Sequence, residues 1–191
     1  PAPRVRYARS FNWFLASTFA SAIGRNGYHI ACAWVLIVSG QGSAAVAGFF
    51  TIISLTELVT SPLAGWLADR FDRRILYVIA ETVRVVAAIV LGAVLMVTSV
   101  LWAIGLAGVL FATCDRIALT ASQSMIPSIS ARLSLATANS MTFFLMQSGS
   151  LAAAVLVGAL LHGASSVVTF GAVSIGFAFS AIIMRVVRHE R

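Results

Sequence analysis

The sequence predicts an all-α membrane protein, a bundle of six transmembrane helices with both termini on the cytoplasmic side. Three observations predict it. Hydrophobic residues make up 60% of the chain and charged residues only 10%, against roughly 25% charged in ordinary soluble domains; the mean hydropathy is +0.96. Six apolar runs each reach the ~20 residues that a spanning helix needs. The arginines gather on alternate loops.

The elements follow in order. An amino-terminal arm, residues 1–10, carries Arg4, Arg6 and Arg9. Spans are predicted at 11–39, 44–67, 75–97, 101–119, 138–161 and 167–187, and residues 188–191 begin a cytoplasmic tail or central loop. The first run is far longer than the ~7–15-residue core of a cleavable signal peptide. The start at Pro1 without Met suggests a trimmed or partial sequence. Turn chemistry separates the runs: Gly40-Gln41-Gly42-Ser43, Asp69 to Arg74, Thr98-Ser99 and His162 to Ser166. Thr120–Thr137 is more polar and contains Pro127, so an interfacial loop is expected there. Arg70, Arg73 and Arg74 lie between helices 2 and 3, Arg132 between 4 and 5, and Arg185, Arg188 and Arg191 at the end. The other three loops hold no Arg. The positive-inside rule then puts both termini in the cytoplasm of a multi-pass plasma membrane protein.

Several function classes are excluded. The net charge is +7, and all the basic residues are Arg, but they sit at helix ends rather than on one continuous basic face, so nucleic acid is not a partner. Cys32 and Cys114 fall at different predicted depths and are not expected to form a disulfide. His29, His162 and His189 are scattered, and neither H-E-x-x-H nor G-x-S-x-G occurs; no enzyme and no metal or other cofactor is expected. No nucleotide-binding loop is present.

Two small-residue ladders, Ser150-Ala154-Gly158 and Ala172-Gly176-Ser180, predict close helix contacts. Trp13, Trp66 and Trp102 lie near span ends, as interfacial aromatics do, and Trp34, Tyr28 and Phe50 are candidates to line an apolar cavity. The informative residues are the ionisable ones within the spans: Arg25, Glu57, Glu81, Arg84, Asp115 and Arg116. Each costs ~2.5–3.5 kcal/mol on an insertion scale if unpaired at mid-membrane. Counting from the predicted helix ends, all but Arg25 fall in the cytoplasmic half. Arg25 lies roughly 20 Å from the cytoplasmic end of helix 1, with no acid expected at its depth, and reads as a cavity residue for an anionic group. Glu81 and Arg84, three residues apart, form a candidate pair. Glu57 is a candidate proton carrier.

The loop after helix 2 reads Gly65-Trp66-Leu67-Ala68-Asp69-Arg70-Phe71-Asp72-Arg73-Arg74. It resembles the G-x-x-x-D-R-x-G-R-R signature of the major facilitator superfamily, with Asp72 in place of Gly. The variant loop, Ser21-x-x-Gly24, the Glu81/Arg84 pair and Ala138-Asn139-Ser140 are similar to the branch containing siderophore and macrolide exporters. Arg25 stands where that branch commonly has an acid, and helix 5 lacks the Gly-Pro motif of antiporters.

The resemblance implies the amino-terminal six-helix half of a twelve-helix secondary transporter. It implies that Asp69 and Arg73 belong to a cytoplasmic latch, with Asp115 as their acidic partner and Gly65, Arg70, Arg74, Glu81 and Arg84 in the same gating set. It also implies a cargo cavity on helices 1, 2, 4 and 5, lined by Arg25, Asn26, Glu57, Arg116 and Gln147. The expected activity is export of an amphipathic drug- or siderophore-like molecule by alternating access, coupled to a proton gradient in a bacterial inner membrane. The partners are then lipid, the cargo and a second six-helix half in cis. The alternative is a complete half-transporter acting as a homodimer, or a non-transporting membrane partner or remnant.

Overall fold

The computed structural model describes residues 3–97, 100–130, 133–161, 163 and 165–186. Their regular structure is helical throughout: α1 (Pro3–Val38), α2 (Gly42–Arg70), α3 (Arg73–Val94), α4 (Val100–Ile129), α5 (Leu135–Leu161) and α6 (Ser166–Val186). In lipid every backbone N–H and C=O must be satisfied within its own segment, and the helix does this for long apolar runs. Five of the six helices, α2 to α6, are long and apolar enough to cross a membrane. α1 falls short of the six expected spans because Arg25, Asn26 and His29 interrupt its apolar run.

Two boundaries differ from expectation. The arm at 1–10 is helical from Pro3 onward, continuous with α1. The expected interfacial loop is mostly helix, since α4 runs on from 119 to Ile129 with Pro127 inside it. Serine hydroxyls there bond back to the preceding turn, Ser122 to the Leu119 carbonyl and Ser124 to that of Thr120, both at 2.8 Å. Ala121, Met125 and Ile129, spaced by four, are buried. Arg132, His162, His189 and the tail at 188–191 lie outside the described residues.

Short turns join antiparallel neighbours. Gly40 and Gly42 have φ of 75° and 76°, a left-handed backbone that only glycine adopts without strain. Asp72 caps α3, its carboxylate accepting from the backbone N–H groups of Arg74 at 2.9 Å and Ile75 at 3.3 Å.

α1 is the central helix and packs on α5 and α6; α3 joins α6 to α4, and α2 rests on α4. The closest approaches are made at glycines. A Cβ at Gly149 would stand 2.7 Å from the Phe19 carbonyl, and one at Gly176 would stand 3.0 Å from that of Ala20. The α6 ladder therefore meets α1 as expected, with Ser180 buried. The α5 ladder does so only at Ser150, which accepts from Asn26 of α1 at 2.8 Å. Ala154 is exposed, and the buried stripe is Gly149-Ala153-Val157, one residue earlier. Small residues spaced by four occur in both registers, and packing selects one.

Gly149→Ala should therefore destabilise the bundle by about 1–3 kcal/mol, as overpacking does. Gly171→Ala, where a Cβ meets nothing within 4 Å, should leave stability unchanged or raise it by up to about 1 kcal/mol through helix propensity. Unfolding of the full-length protein in detergent distinguishes the two; equal melting curves would contradict the packing.

Two apolar clusters fill the interior. One, around Phe14, Tyr77, Met125 and Met184, lies at the end that holds the α2–α3 loop. The other, around Tyr28, Leu36, Phe111 and Phe177, lies toward the opposite end. The charged residues lie between them.

Candidate functional site: a charge network at mid-bundle

Glu81 and Arg84 lie on one face of α3, turned inward, with side chains 0% and 1% exposed. Arg84 bonds Glu81 Oε1 through Nη2 and Asp115 Oδ1, across on α4, through Nη1. Its guanidinium also lies 4.8 Å from the Phe177 ring centroid and 5.7 Å from that of Phe111, two rings that neighbour each other at 5.4 Å and so cover Arg84 from one side. Ser21 of α1 donates to Glu81 Oε1 at 2.7 Å. One turn toward the loop end, the hydroxyls of Tyr77 and Ser180 meet at 2.8 Å, and those of Ser17 and Ser180 at 3.0 Å. A polar seam thus joins α1, α3, α4 and α6 inside the bundle. Glu81 Oε2 and Arg84 Nε have no hydrogen-bond partner among the described residues.

Arg25 meets this network from α1. Its Nη1 lies 3.8 Å from Asp115 Oδ2, with the Arg25 side chain 20% exposed. The expectation that Arg25 lacks an acid at its depth is overturned, and the length of α4 is the reason. Asp115 is fourteen residues from Ile129, hence about 21 Å from that helix end, level with Arg25. The contact is long for a charge-assisted hydrogen bond, which is usually ~2.7–2.9 Å. Arg25 donates no hydrogen bond among the described residues. A cavity of about 30 Å³ lies among α1, α3, α4 and α5, with Ser21, Arg25, Tyr77, Arg84 and Asp115 in its lining beside apolar side chains such as Leu119 and Met146.

The other cavity candidates separate. Glu57 on α2 is half-buried, forms no ion pair among the described residues, and lies within Coulombic reach of Asp115, Arg116 and Arg25. Arg116 likewise forms no ion pair there, and its buried Nε has no partner. The Asn26 amide is spent on packing, donating to the Ala22 carbonyl at 2.9 Å and to Ser150 of α5 at 2.8 Å. Gln147 is exposed on α5. Tyr28, a possible cavity aromatic, is fully buried and stacked on Phe111 at 3.8 Å, whereas Phe50 is 41% exposed.

The loop motif divides in two. Arg73 donates from Nη1 to the Ser124 carbonyl at 2.7 Å and Arg74 from Nε to that of Met184 at 2.9 Å, so both staple α3 to the ends of α4 and α6. Arg70 lies over the Trp66 ring at 5.2 Å. Asp69 is exposed and forms no ion pair among the described residues, and a Cβ at Gly65 would meet nothing within 4 Å. Gly65 therefore makes no close helix contact among the described residues. Asp115 is not the partner of the loop; it belongs to Arg84 and Arg25.

Sequence reasoning missed the Ser17–Tyr77–Ser180 cluster and the cap at Asp72. The first had a signal: Ser17 and Ser21 on α1, and Tyr77 and Glu81 on α3, each form a polar pair at helical spacing.

The fold and the site together describe a bundle of membrane-crossing helices with buried charges at mid-bundle and a basic loop motif at one end. The chain matches the family model of the Major Facilitator Superfamily over residues 14–191 and belongs to that superfamily. It is a multi-pass membrane transporter chain, and its partners are the lipid bilayer and a small-molecule cargo. A search of curated proteins gives no match.

Proposed function

We infer that this chain is the amino-terminal half of a secondary active exporter of amphipathic small molecules, working by alternating access and coupled to a proton gradient across the plasma membrane. The observation that carries the reading is the pair Arg25 and Arg116. Arg116 sits within the span of α4 and Arg25 beside it on α1, and both keep unspent donors among the described residues, in reach of Glu57. Guanidinium groups left this way in a bilayer are costly unless they serve a pathway. Glu57 is then the proton carrier, and Asn26 and Gln147 mark the α1 and α5 edges of the cavity.

A second six-helix half in cis completes the cavity. The support is the low burial of α2 and α5, 11% and 17% of their apolar windows against 39–50% for α3, α4 and α6. Both helices keep large apolar faces that a partner bundle or lipid would cover. With the termini cytoplasmic, the α2–α3 loop lies at the cytoplasmic gate. Asp69, exposed and unpaired beside the staples Arg73 and Arg74, is then the group that latches onto the other half.

Asp69→Asn tests this. In cells making the full-length protein, efflux of a panel of amphipathic dyes should fall at least tenfold, equivalent to about 1.4 kcal/mol. Membrane levels of the protein should not change. Wild-type efflux from the variant would remove the latch, and a wild-type protein that moves no compound would remove the exporter reading.

A further inference from the structure

His29 lies one turn beyond Arg25 on the same face of α1, about 6 Å along the axis. Aromatic rings stand edge-on around its imidazole, with centroid distances of 6.0 Å to Tyr28, 6.4 Å to Phe49, 5.9 Å to Phe50 and 6.0 Å to Phe111. Tyr28 and Phe111 are stacked on each other within 2° of parallel, so the imidazole has a rigid base. The imidazole is half-buried and makes no hydrogen bond among the described residues, and Asp115, Arg25 and Arg84 are the charged groups in Coulombic reach. Phe50 presents an open ring beside it, on the same stripe of α2 as Glu57.

A guanidinium with free donors, an unpartnered imidazole and an exposed aromatic ring thus follow one another at membrane depth. A purely apolar ligand would cover Phe50 and leave two polar groups desolvated, which costs free energy at each. A small inorganic anion would meet Arg25 and leave the aromatic surface unused. An aromatic acid satisfies all three.

We propose that Arg25, His29 and Phe50 form a recognition strip for an aromatic acid, with its carboxylate on Arg25 and its ring against Phe50 and His29. This rests on the reading of the same face as the cargo surface. Asp115 makes the binding exchangeable. Its Oδ2 is the distant counter-ion of Arg25, while its Oδ1 remains on Arg84. An incoming carboxylate replaces Asp115 at Arg25 and leaves no carboxylate buried without a cation.

Equilibrium dialysis of the purified full-length protein against three probes tests this: phenylpropionate, cyclohexylpropionate and phenylpropylamine. The acid should bind more than tenfold tighter than the amine, and the aryl acid about three- to tenfold tighter than the cyclohexyl acid, the range an aromatic pair supplies. Arg25→Met should abolish the preference for acid over amine. Phe50→Leu, at an exposed position, should abolish the aryl preference and keep the charge preference. Equal wild-type affinity for acid and amine, or an aryl preference that survives Phe50→Leu, would overturn the strip. If the wild type moves other amphipathic compounds but binds no aryl acid, only this inference fails; if it moves nothing, the exporter reading fails with it.

Discussion

Arg84→Met is expected to destabilise the bundle by about 3–5 kcal/mol, the cost of removing one partner from a buried ion pair. Among the described residues, Arg84 is the one cation bonded to both Glu81 and Asp115. Without it, Glu81 would keep, among the described residues, only the hydroxyl donor of Ser21, deep between the apolar clusters. Methionine fills most of the volume, so the loss is electrostatic rather than a cavity. A double variant, Arg84→Met with Glu81→Gln, should recover most of the stability, because Asp115 keeps Arg25 as its cation and no carboxylate is left uncompensated. Arg25→Met should cost less than about 1 kcal/mol, since its contact is long and partly exposed. Chemical unfolding in detergent orders the variants. Should Arg84→Met and Arg25→Met melt alike, Arg84 would not be the structural centre of the network.

Glu57→Gln has the largest expected effect on activity. Glutamine keeps the shape of Glu57 and cannot release a proton. In proteoliposomes of the full-length protein, accumulation driven by a pH gradient should fall more than tenfold, while exchange of labelled against unlabelled cargo without a gradient persists. That split separates coupling from binding. Loss of both would make Glu57 a cargo ligand or a folding residue, and loss of neither would move the proton elsewhere.

The five apolar helices α2 to α6 were legible because lipid imposes one rule on every apolar run of ~20 residues; α1, broken by Arg25, Asn26 and His29, was legible as a helix but falls short as a span. The loop motif was legible as a string, yet its division of labour was not. Arg73 and Arg74 point back onto helix carbonyls of their own bundle, while Asp69 points away; a linear motif does not carry that direction. The costliest misreading was the end of α4. Ser122, Ser124 and Ser128 with Pro127 look like loop chemistry, but the serines satisfy themselves on the preceding turn and the spacing of Ala121, Met125 and Ile129 is helical. Ending the helix early displaced Asp115 by about 15 Å in estimated depth. That error separated Arg25 from its acid, whereas the family resemblance gave Asp115 to the loop.

The distinction that matters for function is between the charges the fold uses and those it leaves open. Arg84 is enclosed by two carboxylates and two rings. Arg25 and Arg116 reach the same level of the bundle and keep their donors.

The most direct test of the central claim is proton movement on addition of an amphipathic anion, recorded with a pH-sensitive dye in proteoliposomes of the purified full-length protein. The account predicts cargo-dependent proton flux in the wild type and its loss, by more than tenfold, in the Arg25→Met, Arg116→Met double variant that still inserts and melts normally. Flux of wild-type size from that double variant would contradict it, because the two open guanidinium groups would then have no part in carrying cargo.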